Sequence, residues 1–262
     1  MKIKEVLCAL EQFAPLPLQE SWDNAGLQIG LTEAEVSGVL LCLDVTESIV
    51  DEAVQKGCNL VVSHHPLLFR GLKQISDQTY VQRTVLKAIK NDICVVSMHT
   101  NMDNARGGVN FKIAERLGLS DIRFGTATEE VQEPQSGSWV MGTLAEPMEA
   151  HNFIMHVKQS LEAKSAMCNE LLHRPIRKVS ICGGAGDFLL DEVIGKGADA
   201  FLTGEMHYHQ YFGHEQHIQI CVVGHYESEH FTAELFRDLI VRTCPGIRTG
   251  IAETNTNPII YL

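Results

Sequence analysis

No Cys-x-x-Cys pair occurs anywhere in the 262 residues, which excludes a zinc ribbon. The eight cysteines are scattered, and Cys42, Cys58, Cys94, Cys182 and Cys221 lie in or beside apolar, strand-like runs. They read as buried free thiols of a reducing compartment, not as a disulfide framework. No stretch approaches the roughly 18 to 20 apolar residues that span a bilayer, so no membrane partner is expected. Basic runs are missing as well: the net charge is −12 and no Lys/Arg cluster could track a phosphate backbone, so nucleic acid is not an expected partner. The opening MKIKEVLCALEQF carries Glu5 and Glu11 inside its apolar stretch and reads as an amphipathic helix, not a secretory leader. A cytoplasmic location is expected. Low-complexity tracts are absent.

What is present is ordinary for a globular protein, with 45% hydrophobic and 21% charged residues. The length admits one large core or two linked ones. VLLCL (39–43) reads as a strand, followed by a helix with Ile49, Val50, Ala53 and Val54 at helical spacing and a stop at Gly57, then by strand CNLVVS (58–63). Such a crossover implies parallel pairing. A helix over 79–90, a strand over 92–97 and a helix over 109–117 follow. Residues 120–138 are polar, and TEEVQEPQSGS (128–138) reads as an exposed connection, so a domain boundary is placed there. The second half offers strand WVMGTL (139–144), the amphipathic MEAHNFIMHVKQSLEA, strand KVSIC (178–182), a helix near 188–196, and strands DAFLTG (199–204) and IQICVVG (218–224). SEHFTAELFRDLIV reads as one helix and the closing NPIIYL as an edge strand. The expected class is α/β with parallel-rich sheets in two linked α/β domains, residues 1–123 plus 235–262 and residues 124–234.

Three segments share a pattern: LVVSHH (60–65), CVVSMH (94–99) and CVVGHY (221–226). Each is an apolar strand ending in Val-Val, then Ser or Gly, then histidine within two positions. Ligands of α/β sheets gather outside the carboxyl ends of strands. Asp103 follows on the HTNMDNARGGVN loop, whose Gly107 and Gly108 permit tight turns, and Glu229 lies one helical turn after His225. His64, His65, Asp103, His225 and Glu229 thus offer three nitrogens and two carboxylates without a thiolate. That donor mixture suits zinc, iron, manganese or nickel, and two divalent ions sharing a carboxylate would use all five ligands.

Other candidates fall short. GGAGD (183–187) sits where a phosphate loop would, but Leu189 stands where the third glycine of GxGxxG belongs, leaving a tight turn and a substrate loop both open. IGKG (194–197) is no Walker sequence. HYH (207–209) lacks the aspartate and histidine of a His-x-His metallohydrolase, with Tyr211 and Phe212 in their place. His151, His156 and His173 are assigned to surface helix or loop.

With SWDNAGLQIG (21–30), VVSHHPLLF (61–69), HTNMDNARGGVN (99–110), GGAGD, DAFLTGEMHYH (199–209) and GHYESE (224–229) in this order, the chain resembles the NIF-three-like family. Its members are often labelled GTP cyclohydrolase 1 type 2 homologs or dinuclear metal centre hexameric proteins. The resemblance implies two linked α/β domains in a toroidal homohexamer. It also implies His65 and Asp103 on one cation, His64 and His225 on the other, and Glu229 bridging. Glu205 and His209 become candidates lining the site, while Trp22, Asp23 and Asn24 match a family hallmark whose role the sequence leaves open. The large inserted domain of longer members has no room here, and Ser228 stands where threonine is common. The implied activity is metal-dependent hydrolysis of GTP, with attack at C8 of guanine, ring opening and loss of formate, His209 or His99 shuttling protons. Two alternatives stand beside it: a non-catalytic metal-binding hexameric scaffold or regulatory protein, and a dinuclear phosphoesterase or amidohydrolase acting on another small substrate.

Overall fold

The computed structural model describes residues 1–127 and 134–262. In chain order it contains α1 (Ile3–Phe13), β1 (Gly26–Ile29), β2 (Val39–Cys42), α2 (Glu47–Gln55), β3 (Leu60–Ser63), α3 (Tyr80–Lys90), β4 (Cys94–Ser97) and α4 (Thr100–Asp103). Next come α5 (Val109–Arg116), β5 (Ser120–Phe124), β6 (Val140–Met148), α6 (Ala150–Ser160), β7 (Met167–Cys168), β8 (Ile176–Ala185) and α7 (Leu190–Gly195). The chain finishes through β9 (Ala200–Glu205), β10 (Gln219–Val222), α8 (His225–Glu229), α9 (Thr232–Thr243) and β11 (Thr249–Ile251).

These elements divide into two compact units, Met1–Ala105 with His230–Pro258, and Arg106–Glu229 with Ile259–Leu262. The division falls ahead of α5, earlier than the 123/124 bound drawn from sequence. The cause is hydrogen bonding: β5 pairs with β6, and α5 packs on β6 and β8, so residues 106–123 go with the second sheet. Of the expected connection at 128–138, residues 128–133 lie outside the described residues.

The first unit is built on a sheet of order β1-β4-β3-β2-β11, parallel from β11 to β4 and closed by an antiparallel β1. Every residue of β2, β3 and β4 is buried, which explains why they are continuous apolar runs with no alternation. Thr46 and Thr79 cap α2 and α3, their hydroxyls accepting from the N–H groups of Ile49 and Gln82. Ile49, Val50, Ala53, Val85 and Ala88 from these helices form the core with Leu40, Val61 and Val95. The edge beside β2 is β11, not NPIIYL: residues 257–262 form no strand. Pro258 has no N–H to give a ladder there.

The second unit holds a sheet of order β5-β6-β8-β9-β10-β7. β8, β9 and β10 run parallel, whereas β5, β6 and β8 alternate in sense and β7 is antiparallel to β10. The long return at 161–175, which carries β7, brings the chain back before β8 begins. Trp139 and Phe201 are fully buried in its core, and the Trp139 indole N–H donates to Glu192. The α/β class therefore holds, with parallel strands in both sheets. The single helix expected from SEHFTAELFRDLIV is two helices, interrupted at His230 and Phe231 where the chain leaves the second unit for the first.

All eight cysteines are free, with Cys8 and Cys168 exposed and the rest buried. Burial pushes the Cys94 thiol up to about 11 and the Cys221 thiol up to about 12, which makes both inert. Among the described residues no helix is long and apolar enough to cross a membrane.

Candidate metal centre

The parallel register of β3 and β4 sets Ser63 opposite Ser97. The carbonyl of His65 accepts from both hydroxyls, at 2.8 Å and 3.1 Å. The serine that ends each Val-Val run thus clamps the turn bearing the two histidines. The N–H groups of His64 and His65 extend the ladder to the carbonyls of Cys42 and Leu43, at 3.3 Å and 3.0 Å. Both imidazoles are thereby fixed at the carboxyl rim of the first sheet.

Each imidazole in this unit's cluster has its Nδ1 committed. His64 Nδ1 meets the Met98 carbonyl at 2.9 Å, His65 Nδ1 meets Asp44 at 2.7 Å, and His99 Nδ1 meets Asp23 at 2.7 Å. An acceptor at Nδ1 holds the proton there and leaves the Nε2 lone pair for a ligand. Ligand atoms of His64, His65 and His99 lie within 4.8 Å of one another. Asp103, the last residue of α4, brings Oδ1 to 3.6 Å from His64 Nε2.

Asp23 and Asp44 escaped the sequence reading of the site. The Asp23 carboxylate is fully buried and accepts from His99, from the Thr100 N–H and hydroxyl, and from the Asn24 N–H. Burial opposes its ionisation, but those hydrogen bonds outweigh it and hold the carboxyl down to about 2. It is therefore an acceptor that fixes the tautomer of His99, which gives the SWDN segment a physical role. Asp44 holds His65 through Oδ1 and accepts from the Thr256 hydroxyl at 2.9 Å through Oδ2. Its signal was available: it is a carboxylate just past the carboxyl end of a buried strand.

In the second unit His225 opens α8 directly after Gly224, whose φ is +108°. A Cβ there would overlap the Glu227 carboxylate, so glycine takes the place that serine has at the other two strand ends. His225 Nδ1 meets Glu205 at 2.8 Å, and its Nε2 lies 3.1 Å from Oε2 of the buried Glu229, one helical turn on. The GGAGD stretch seats this helix. Gly184 has φ +60°, its N–H donates to Ser228 Oγ at 3.0 Å, and a Cβ on it would overlap Glu229 Oε1. Ser228 donates onward to the His225 carbonyl at 2.8 Å. The glycines answer to this close passage of strand and helix.

His64, His65, His99 and Asp103 are thus together within the first unit, and Glu205, His225 and Glu229 within the second. His209 is exposed on a short turn, against the rings of Tyr208 and Phe212. Imidazoles with committed Nδ1 atoms beside carboxylates, and no thiolate, are a donor set that fits a borderline to hard divalent ion.

An α/β fold whose strand ends carry such groups defines a protein able to hold metal. The chain belongs to the Duf34/NIF3 (NGG1p interacting factor 3) family, whose profile matches residues 1–258. It is 33% identical over 231 residues to a GTP cyclohydrolase 1 type 2 homolog of Clostridium perfringens, covering 87% of each chain. The fold is similar to the crystal structure of Staphylococcus aureus hypothetical protein SA1388, with TM-score 0.91 and 28% identity over 100% of this chain and 99% of that one. A Bacillus cereus protein related to NIF3 matches with TM-score 0.89 and 25% identity, over 100% and 99% of the two chains.

Proposed function

We propose that the protein is a dinuclear divalent-metal hydrolase of the GTP cyclohydrolase 1 type 2 kind, working as a homohexamer. In the first unit His64, His65 and Asp103 would hold divalent metal, and in the second His225 and Glu229 would. The observation that carries this reading is the set of committed imidazoles: His64, His65 and His99 each give Nδ1 to a protein acceptor, and their ligand atoms lie within 4.8 Å of one another. Bound divalent cations would supply Lewis acidity and lower the pKa of water.

The chain's own residues supply orientation and proton handling. Glu205 and Asp44 hold the rings of His225 and His65, and such supporting acceptors matter nearly as much as the ligands. His99, with its proton anchored on Asp23, presents Nε2 to accept a proton and return it. Opening guanine consumes two waters: one adds at C8 and breaks the ring, and the second releases formate from the resulting formamide.

The test is metal content and formate release from GTP, measured on the protein and on Glu229→Ala. Metal bound by the parent, and turnover lost together with metal in the variant, support the reading. Metal binding without turnover on GTP assigns the protein to the scaffold class, and turnover on other phosphoesters or amides to a different hydrolase.

A further inference from the structure

Trp22 and Phe69 are exposed, at 59% and 45%, although rings of this size gain from burial. They lie against each other with centroids 5.8 Å apart, tilted by 53°. Each also meets His99 edge-on, at 6.1 Å and 6.3 Å. Scattered exposed rings need no explanation, but a contiguous pair on the lip of a histidine cluster does.

The frame behind the pair is tied from both sides. Asp23, next to Trp22, is locked into its bonds with His99 and Thr100. Asn24 Nδ2 donates to the Leu68 carbonyl at 2.7 Å, which joins the segment carrying Trp22 to the one carrying Phe69. Gln28 completes the tie, accepting from the Leu68 N–H at 3.1 Å and donating to the Asn24 carbonyl at 2.7 Å. The two rings are held outward by polar bonds beneath them.

We propose that Trp22 and Phe69 form an aromatic notch for a purine ring, which stacks on one face and meets the other ring at a tilt, and that this ring is the part of the substrate by which the site holds it. The inference rests on the hydrolase reading above, for which it names the substrate's recognition element. A base stacked on Phe69 meets Trp22 at the 53° between the two rings and has an edge at His99, whose imidazole stands 5.2 Å and 5.5 Å from those of His64 and His65. Stacking on aromatic side chains suits any base, because every base has a π-face. Neither ring offers a cation to a triphosphate, so at this pair the base is the grip.

Tryptophan emission tests this without turnover. Of the two tryptophans, Trp139 is fully buried and Trp22 is the solvent-exposed one. The full chain is titrated with guanosine, GTP and sodium tripolyphosphate. Guanosine and GTP are expected to quench saturably, while tripolyphosphate leaves the emission unchanged. Trp22→Phe should abolish the signal, and Phe69→Ala should weaken guanosine binding roughly 5- to 100-fold. Equal quenching by tripolyphosphate, or unaltered guanosine affinity in Phe69→Ala, overturns the proposal. So does a changed assembly mass in Phe69→Ala, which would give the pair to a contact between copies. Guanosine quenching without formate release removes the hydrolase reading and leaves the notch standing. Formate release with silent emission does the reverse.

Discussion

The Nδ1 proton of His99 rests on Asp23, 76 residues earlier in the chain, across 2.7 Å. Asp23→Asn replaces an acceptor of four hydrogen bonds with an amide that can satisfy only part of them. A loss of about 1 to 3 kcal/mol in urea unfolding is expected. An unchanged unfolding midpoint would show that the carboxylate does not hold this segment.

Gly184→Ala puts a methyl group onto Glu229 at a positive φ that alanine resists. The carboxylate must move, and metal affinity should fall by about 10- to 100-fold, read by elemental analysis after dialysis. Gly195→Ala, where a Cβ meets nothing within 4 Å, is the matched control and should bind as the parent does.

Glu52 links α2 to the segment after β11: it accepts from the Glu253 and Thr254 N–H groups, from the Thr254 hydroxyl, and from Lys56. Burial opposes ionisation, but these bonds dominate and lower its carboxyl to about 2, from an ordinary value near 4.5. The folded pKa lies below the unfolded one, so the stabilisation is complete above the ordinary value and drains away as pH falls towards 2. Glu52→Gln should cost roughly 2 to 3 kcal/mol at neutral pH and less than half of that near pH 3. A gap between parent and variant that stays constant across this range would contradict the assignment.

Thiol titration of the native protein should count two accessible groups, Cys8 reacting fast and Cys168 more slowly because burial raises its thiol, and eight after denaturation. A lower total in denaturant would reveal a disulfide.

Sequence alone made the central strands legible because β2, β3, β4 and β10 are buried throughout, leaving unbroken apolar runs. The edges were hidden for the converse reason. β1 is half exposed, β5 is exposed over most of its length and β7 entirely, so no pattern marks them. Within the site, His64 and His65 could be read from their place after a buried strand, and His225 with Glu229 from one helical turn of spacing. Asp23 and Asp44 could not be paired with their histidines, since those partnerships are made by strand order. His209 followed from the resemblance and not from any local constraint, and it stands in solvent.

β11 pairs with β2 in register from Thr249 to Ile251, although about two hundred residues separate them. During synthesis the first unit therefore stays incomplete on the ribosome while Arg106–Glu229, nearly all of the second unit, emerges. Its half-built sheet offers a bare parallel edge throughout that wait, so the nascent chain is most prone to aggregate before its final strand arrives.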